Sequence, residues 1–191
     1  MTLEILQRPL PYAQRLESRC TDCINVVVIH CTELPDLAMA RVYGERIHHP
    51  DSQTGNSGHF YIDRDGSMEQ WVPLERVAHH VRGHNDHSIG IELVNLGRYP
   101  HWYQSGHQRV TDPYPEQQIT ALSSLLNHLV AQLPGLEGIT GHEDLDTAEL
   151  AAEDDPAIMI RRKIDPGPLF PWPGLMDRIL LERLTAGDLS K

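Results

Sequence analysis

The sequence predicts a single α/β domain, a central mixed β-sheet flanked by α-helices, and three observations predict it. Ile24–Cys31 (INVVVIHC) is β-branched and almost wholly apolar, as a strand buried on both faces must be. Ile119, Leu122, Leu126, Leu129, Val130 and Leu133 recur at helical spacing within Pro115–Leu133, which marks a helix with one apolar face. Strand-like and helix-like stretches alternate along the chain with no repeat and no linker, the pattern of a sheet covered by helices. A length of 191 residues suits one well-cored domain and is short for two.

The elements follow in order. Residues 1–18 (MTLEILQRPLPYAQRLES) are broken by charges and prolines, and no apolar run reaches the length of a signal h-region. The chain as written therefore reads as cytoplasmic. After the strand at Ile24–Cys31, Asp36–Arg46 reads as a short helix with Pro35 at its start, and His48–Gly58 as a loop. His59–Ile62 and Met68–Val72 are strand-like, and Asp65-Gly66 between them is a strong hairpin signal. Ser88–Val94 (SIGIELV) is another strand. Gly97–Tyr114 is aromatic, polar and Gly/Pro-containing, a long loop of the kind that shapes binding sites. Pro134-Gly135 ends the long helix. Gly138–His142 is expected to be the final short strand. Thr147–Asp155, acidic and Ala-rich, reads as a mobile helix or loop, and Leu175–Leu184 as a closing helix.

Composition narrows the function classes. Hydrophobic residues make up 40% and charged residues 23%, an ordinary globular balance. The formal net charge of -11 repels phosphate backbones and argues against a nucleic-acid partner. No stretch approaches a membrane span. The three cysteines are too few and odd in number for a disulfide framework. Cys20 and Cys23 have C-x-x-C spacing, but no second pair completes a structural zinc site. Oligomeric state is not encoded legibly.

Several residues are polar where the pattern calls for apolar ones. His30 ends an otherwise apolar strand, so its ring needs a partner; that partner is either a backbone carbonyl or a metal. Glu92 alternates with Ile89, Ile91 and Leu93 and shares a face with Gly90. It points either outward to solvent or into a cleft beside a cation. Gly141-His142-Glu143-Asp144 supplies a second histidine. Lys163 and Asp165 lie two apart in an extended stretch before Pro166, and form either a salt bridge or part of one site. No compact H-E-x-x-H motif is present.

Taken together, VVVIHC (Val26–Cys31), GHFYIDRDG (Gly58–Gly66), Gln70-Trp71-Val72-Pro73, Ala78-His79-His80, NDHSIGIELVN (Asn85–Asn95), TGHEDL (Thr140–Leu145) and KIDPGPLFPW (Lys163–Trp172) resemble the type 2 N-acetylmuramoyl-L-alanine amidase family. That family includes bacterial cell-wall-recycling amidases, phage amidases and peptidoglycan recognition proteins. The resemblance runs in the family's order over most of residues 24–175. It implies a zinc amidase domain at 24–186 with an N-terminal extension at 1–23. It implies one Zn2+ held by His30, His142 and Asp165, a ligand set that leaves a fourth position for water. It makes Glu92 the general base, Lys163 the stabiliser of the tetrahedral oxyanion, and His80 a substrate contact. The implied partners are peptidoglycan fragments (muropeptides), cut between N-acetylmuramic or anhydro-N-acetylmuramic acid and L-alanine. The alternative is a peptidoglycan-binding module of the same fold without catalysis, from which the full set of His30, His142, Asp165, Glu92 and Lys163 distinguishes an enzyme. Three departures stand out. The His142–Lys163 gap is long and carries an acidic insert, Glu143–Asp155. Gly58, rather than a tyrosine, precedes His59. Gly55 and Asn56 stand where recycling members carry an arginine.

Overall fold

The structure is a computed structural model that describes residues 3–185, 187 and 188. Among them the strands are β1 (Leu6–Gln7), β2 (Val26–Cys31), β3 (Phe60–Ile62), β4 (Met68–Gln70), β5 (Ser88–Leu93), β6 (Gly138–Gly141), β7 (Glu149–Ala151), β8 (Met159–Arg161) and β9 (Glu182–Arg183). The α-helices are α1 (Leu37–Gly44), α2 (Glu116–Gln132), α3 (His142–Leu145) and α4 (Trp172–Met176). Seven strands form one mixed sheet in the order β1-β4-β3-β5-β2-β6-β9, and β7 and β8 pair separately. β3 and β4 are antiparallel, whereas β3-β5, β5-β2, β2-β6 and β6-β9 are parallel.

Every residue of the central strand β2 is buried, as its unbroken apolar run requires. Strand alternation then divides the sheet into two faces. Val27, Ile29, Ile89, Ile91, Leu93 and Ile139 turn one way and pack with Ile119, Leu122, Leu126 and Leu129 of α2. Each such leucine or isoleucine contributes about 2 kcal/mol by leaving water. Gln118, buried in α2, donates to the carbonyls of Ile62 and Val94 and so ties the helix to the ends of β3 and β5. On the opposite face Tyr61 stacks on Trp71 with ring centroids 3.5 Å apart, and joins Leu10, Tyr12, Leu34 and Ala40 in a second cluster. Asp36 caps α1 by accepting from the Met39 N–H at 2.7 Å.

The segment read as an N-terminal extension is built into the domain. β1 pairs with β4, and Leu10, Tyr12, Ala13 and Leu16 sit in the second cluster. Three expectations are corrected. β6 is followed by further strands, so Gly138–His142 is not the last. The acidic stretch 147–155 contains β7, paired antiparallel with β8; Ala152 and Ile160 turn inward, and its charges face out. The closing helix is only α4, followed by β9. Ile179 and Leu181 are buried at 9% and 4% exposure while Leu180 between them is 85% exposed, the alternation of an extended chain. The β9 backbone then extends the sheet beside β6. Among the described residues no helix is long and apolar enough to cross a membrane.

Candidate metal centre

The parallel strands β2, β5 and β6 all point their carboxyl ends at one crevice, the usual place for a site in an open α/β sheet. His30 is the fifth residue of β2 and pairs in register with Glu92 on β5, which pairs in turn with Tyr61 on β3. All three turn away from the α2 face. Directly after β6 comes His142, at the start of α3. The result is a cleft of about 320 Å³ lined by His30, Glu33, Tyr61, His80, Glu92, Trp102, Tyr103, His142, Lys163 and Asp165.

At its floor three buried side chains converge. One ligand atom each from His30, His142 and Asp165 lies within 4.8 Å of the others. His30 Nδ1 and His142 Nδ1 are 3.2 and 3.1 Å from the same Asp165 Oδ2. Asp165 Oδ1 is buried with no hydrogen-bond partner. An unpartnered buried carboxylate oxygen is costly, and beside two imidazoles it fits a cation. Two nitrogens and a carboxylate form a donor set suited to zinc. Burial first, then His142, lowers His30 to about 4, which keeps its ring neutral as ligation requires. Burial would raise the Asp165 carboxyl, but His142 and Lys163 beside it hold it well below the usual carboxylate range.

The mounts are stiff. Asp144 accepts from the Gly141 N–H at 2.9 Å and pairs with Arg183 at 2.6 Å, which fixes the turn carrying His142. A side chain on Gly141 would strike Pro166 Cδ at 2.8 Å, so glycine lets the two ligand loops touch. Asp165 O accepts from the Glu143 N–H at 2.8 Å, and the Tyr114 hydroxyl donates to Pro166 O at 2.7 Å.

Glu92 and Lys163 face the same cleft. Burial, then the charge of Asp165, raises Glu92 to about 8, so in the metal-free form its carboxyl carries a proton at neutral pH. Burial would lower Lys163, but Asp165 and Glu33 hold it above its ordinary value, so its ammonium is retained. A Cβ on Gly58 would meet Glu92 Cγ at 2.8 Å; glycine there makes room for the carboxylate. His80 is also at the cleft, with both ring nitrogens taken: Nδ1 is 3.0 Å from His30 Nε2 and Nε2 is 3.1 Å from Ser88 Oγ.

The sequence thus pointed to residues that the fold does bring together. It did not point to Glu33, whose backbone takes φ +49 and whose carboxylate pairs with buried Arg98 at 2.8 Å. Nor did it single out Tyr61, Trp102 or Tyr103 on the cleft walls, beyond the aromatic character of the 97–114 loop. Cys20 and Cys23 are exposed free thiols away from this centre, and Cys31 is a buried one.

Comparison with known proteins agrees with this geometry. Residues 21–168 match the Amidase_2 family, described as N-acetylmuramoyl-L-alanine amidase. The N-acetylmuramoyl-L-alanine amidase AmiD of Escherichia coli K12 is 36% identical over 166 residues, which cover 78% of this chain and 51% of that protein. The 1,6-anhydro-N-acetylmuramyl-L-alanine amidase AmpD of Enterobacter cloacae is 32% identical over 120 residues, 58% of this chain and 50% of that one. The chain therefore spans about half the length of the curated relatives it matches. A solved structure of E. coli AmiD, in complex with the substrate anhydro-N-acetylmuramic acid-L-Ala-D-γ-Glu-L-Lys, superposes with a TM-score of 0.61 at 26% identity, covering 82% of this chain and 57% of that one. Because the family model spans residues 21–168, well over half of its length, the chain belongs to the N-acetylmuramoyl-L-alanine amidase family.

Proposed function

We propose that the protein is a zinc-dependent N-acetylmuramoyl-L-alanine amidase. It hydrolyses the amide between N-acetylmuramic acid, or its anhydro form, and L-alanine in peptidoglycan fragments. The observation that carries this reading is the convergence of His30, His142 and Asp165, with the second carboxylate oxygen of Asp165, Oδ1, buried and unpartnered beside them. His30, His142 and Asp165 would hold the metal. Bound there, zinc supplies Lewis-acid polarisation of water and of the scissile carbonyl.

The remaining work falls to the chain. Glu92 sits one strand from His30 and acts as general base, taking a proton from the attacking water and passing it to the departing alanine amine. A cation at the floor favours its ionised form, which the metal-free cleft disfavours. The Lys163 ammonium has no carboxylate within salt-bridge distance among the described residues and faces the same cleft. It is free to meet negative charge that develops on the carbonyl oxygen. Trp102 and Tyr103 give the upper wall apolar area, and His80 lies behind the metal ligands as part of the wall.

The test pairs a soluble anhydro-muropeptide with polymeric peptidoglycan and follows products by mass spectrometry, with and without a chelator and zinc re-addition. Release of the L-alanine-terminated stem peptide, lost with chelator and restored by zinc, is expected. A zinc-loaded protein that binds fragments and leaves every bond intact overturns the enzyme reading.

A further inference from the structure

We propose that His80 is a positioning residue: with Ser88 it locks His30 in the tautomer whose Nδ1 is bare and faces the metal site. This goes beyond the function proposed above and rests on it only for the identity of the metal.

One hydrogen-bond chain links the His84 carbonyl, Ser88, His80 and His30. Ser88 Oγ lies 2.6 Å from the His84 carbonyl oxygen. A carbonyl only accepts, so the single hydroxyl proton of Ser88 is spent there. Ser88 Oγ, 3.1 Å from His80 Nε2, must then accept, and His80 Nε2 carries a proton. A neutral imidazole has one N–H, so His80 Nδ1 is an acceptor. His30 Nε2, 3.0 Å away, must donate to it. That leaves His30 Nδ1 with its lone pair exposed, 3.2 Å from Asp165 Oδ2. Two acceptors held that close with no proton between them repel, unless a cation occupies the corner they share. The carbonyl of residue 84 thus sets, three groups away, which nitrogen of His30 meets the metal.

The seat of His80 is built for this. Backbone N–H groups of His80 and Val81 both donate to Asn85 Oδ1, at 3.0 and 2.8 Å, which fixes the loop. The ring lies against Gly90 on β5, where a Cβ would sit 2.6 Å from His80 Cγ and 2.7 Å from Nδ1. Neither substitution at position 90 nor rotation of the ring is free. Since both ring nitrogens are bonded inside the protein, His80 has no polar atom left to offer a substrate.

Three variants of the whole chain test the assignment. His80→Leu removes the acceptor, His80→Asn returns an amide oxygen near the position of Nδ1, and Ser88→Ala releases His80 without touching the ligand itself. Long-range proton–nitrogen NMR of the metal-free proteins reads the His30 tautomer directly. Wild type and His80→Asn are expected to show His30 protonated on Nε2 alone, and His80→Leu and Ser88→Ala a mixture. Competition with a chromophoric chelator reads zinc affinity, expected to fall about 10- to 100-fold in His80→Leu and to recover most of the way in His80→Asn. If His80→Leu and Ser88→Ala both keep a pure Nε2–H tautomer and wild-type zinc affinity, the assignment is wrong. If the tautomer shifts as expected while the wild type binds no zinc, the relay stands and the metallo-amidase reading fails.

Discussion

At the scale of single residues, the sequence left His30, Glu92 and Asp165 each with two readings, and burial decides between them. A strand pattern states which face a side chain takes but not whether that face meets water or a second layer. Glu92 illustrates this: alternation placed it correctly opposite Ile89, Ile91 and Leu93, yet its surroundings come from Gly58, Asp165 and Lys163, all distant in sequence. Its expected role separates from that of the ligands by substitution. Glu92→Gln keeps shape and should retain stoichiometric zinc while kcat falls about 10²- to 10⁴-fold, the usual worth of a positioned base. Asp165→Ala should instead lose zinc under conditions where wild type keeps it, measured by elemental analysis after dialysis. A Glu92→Gln protein with near wild-type kcat would remove Glu92 from the chemistry. The Tyr61 hydroxyl already accepts from the Gly58 N–H at 3.1 Å, which ties the strand beside Glu92 to the glycine that makes room for it.

Among the elements, long periodic stretches were legible and short ones were not. β2, β5, the β3–β4 hairpin and α2 each carry enough repeats of their period, or a sufficiently specific turn, to be read locally. β7, β8 and β9 are two or three residues long, and exist because a neighbour offers an edge or because Asp155, accepting from the Ala157 N–H, turns the chain back. The β7–β8 hairpin leads directly into Lys163, and one clamp holds that junction. Buried Arg98 donates to the carbonyls of Arg161 and Arg162 at 3.0 and 3.1 Å, and to both carboxylate oxygens of Glu33. Glu33 keeps its left-handed backbone with Trp102 Nε1–H donating to its carbonyl at 3.1 Å. Removing one partner of a buried pair leaves the other charge unpaired, so Arg98→Met should cost about 3–5 kcal/mol in urea unfolding. A loss below about 1 kcal/mol would show that Glu33 reaches water on its own and that the clamp does not hold the Lys163 segment.

For the molecule as a whole, the α/β architecture was visible in the alternation of patterns, but its ionisation balance was not, since that depends on which titratable groups the fold buries together. In the metal-free protein burial is the leading cause of each shift that matters: His30 falls to about 4, His59 to about 3 with Arg19 beside it, and His80 well below its ordinary value, whereas Glu92 rises to about 8 and Glu143 to about 7. Stability rises with pH wherever the unfolded chain binds more protons than the folded one. Between the ordinary histidine value of 6.5 and the ordinary glutamate value of 4.5, unfolding lets three histidines gain protons and makes two glutamates lose them. Glu143 is only partly buried and counts for less than a full proton, so the histidines outweigh the glutamates and stability falls gently on acidification. Below 4.5 the unfolded glutamates are protonated too and their offset disappears, while His59 and His80 stay neutral in the fold and Asp165 stays ionised. The slope should then steepen. Above 6.5 the histidine contribution is spent, and Glu92 and Glu143, still protonated when folded, make stability decline towards pH 8. Urea midpoints of the EDTA-treated protein across pH 3.5–8.5 should therefore pass through a maximum between about pH 6 and 7, with the steepest fall on the acid side. A profile flat from pH 4 to 8 would mean that both these histidines and these glutamates titrate normally in the folded protein, and that the cleft floor is wetter than its packing implies.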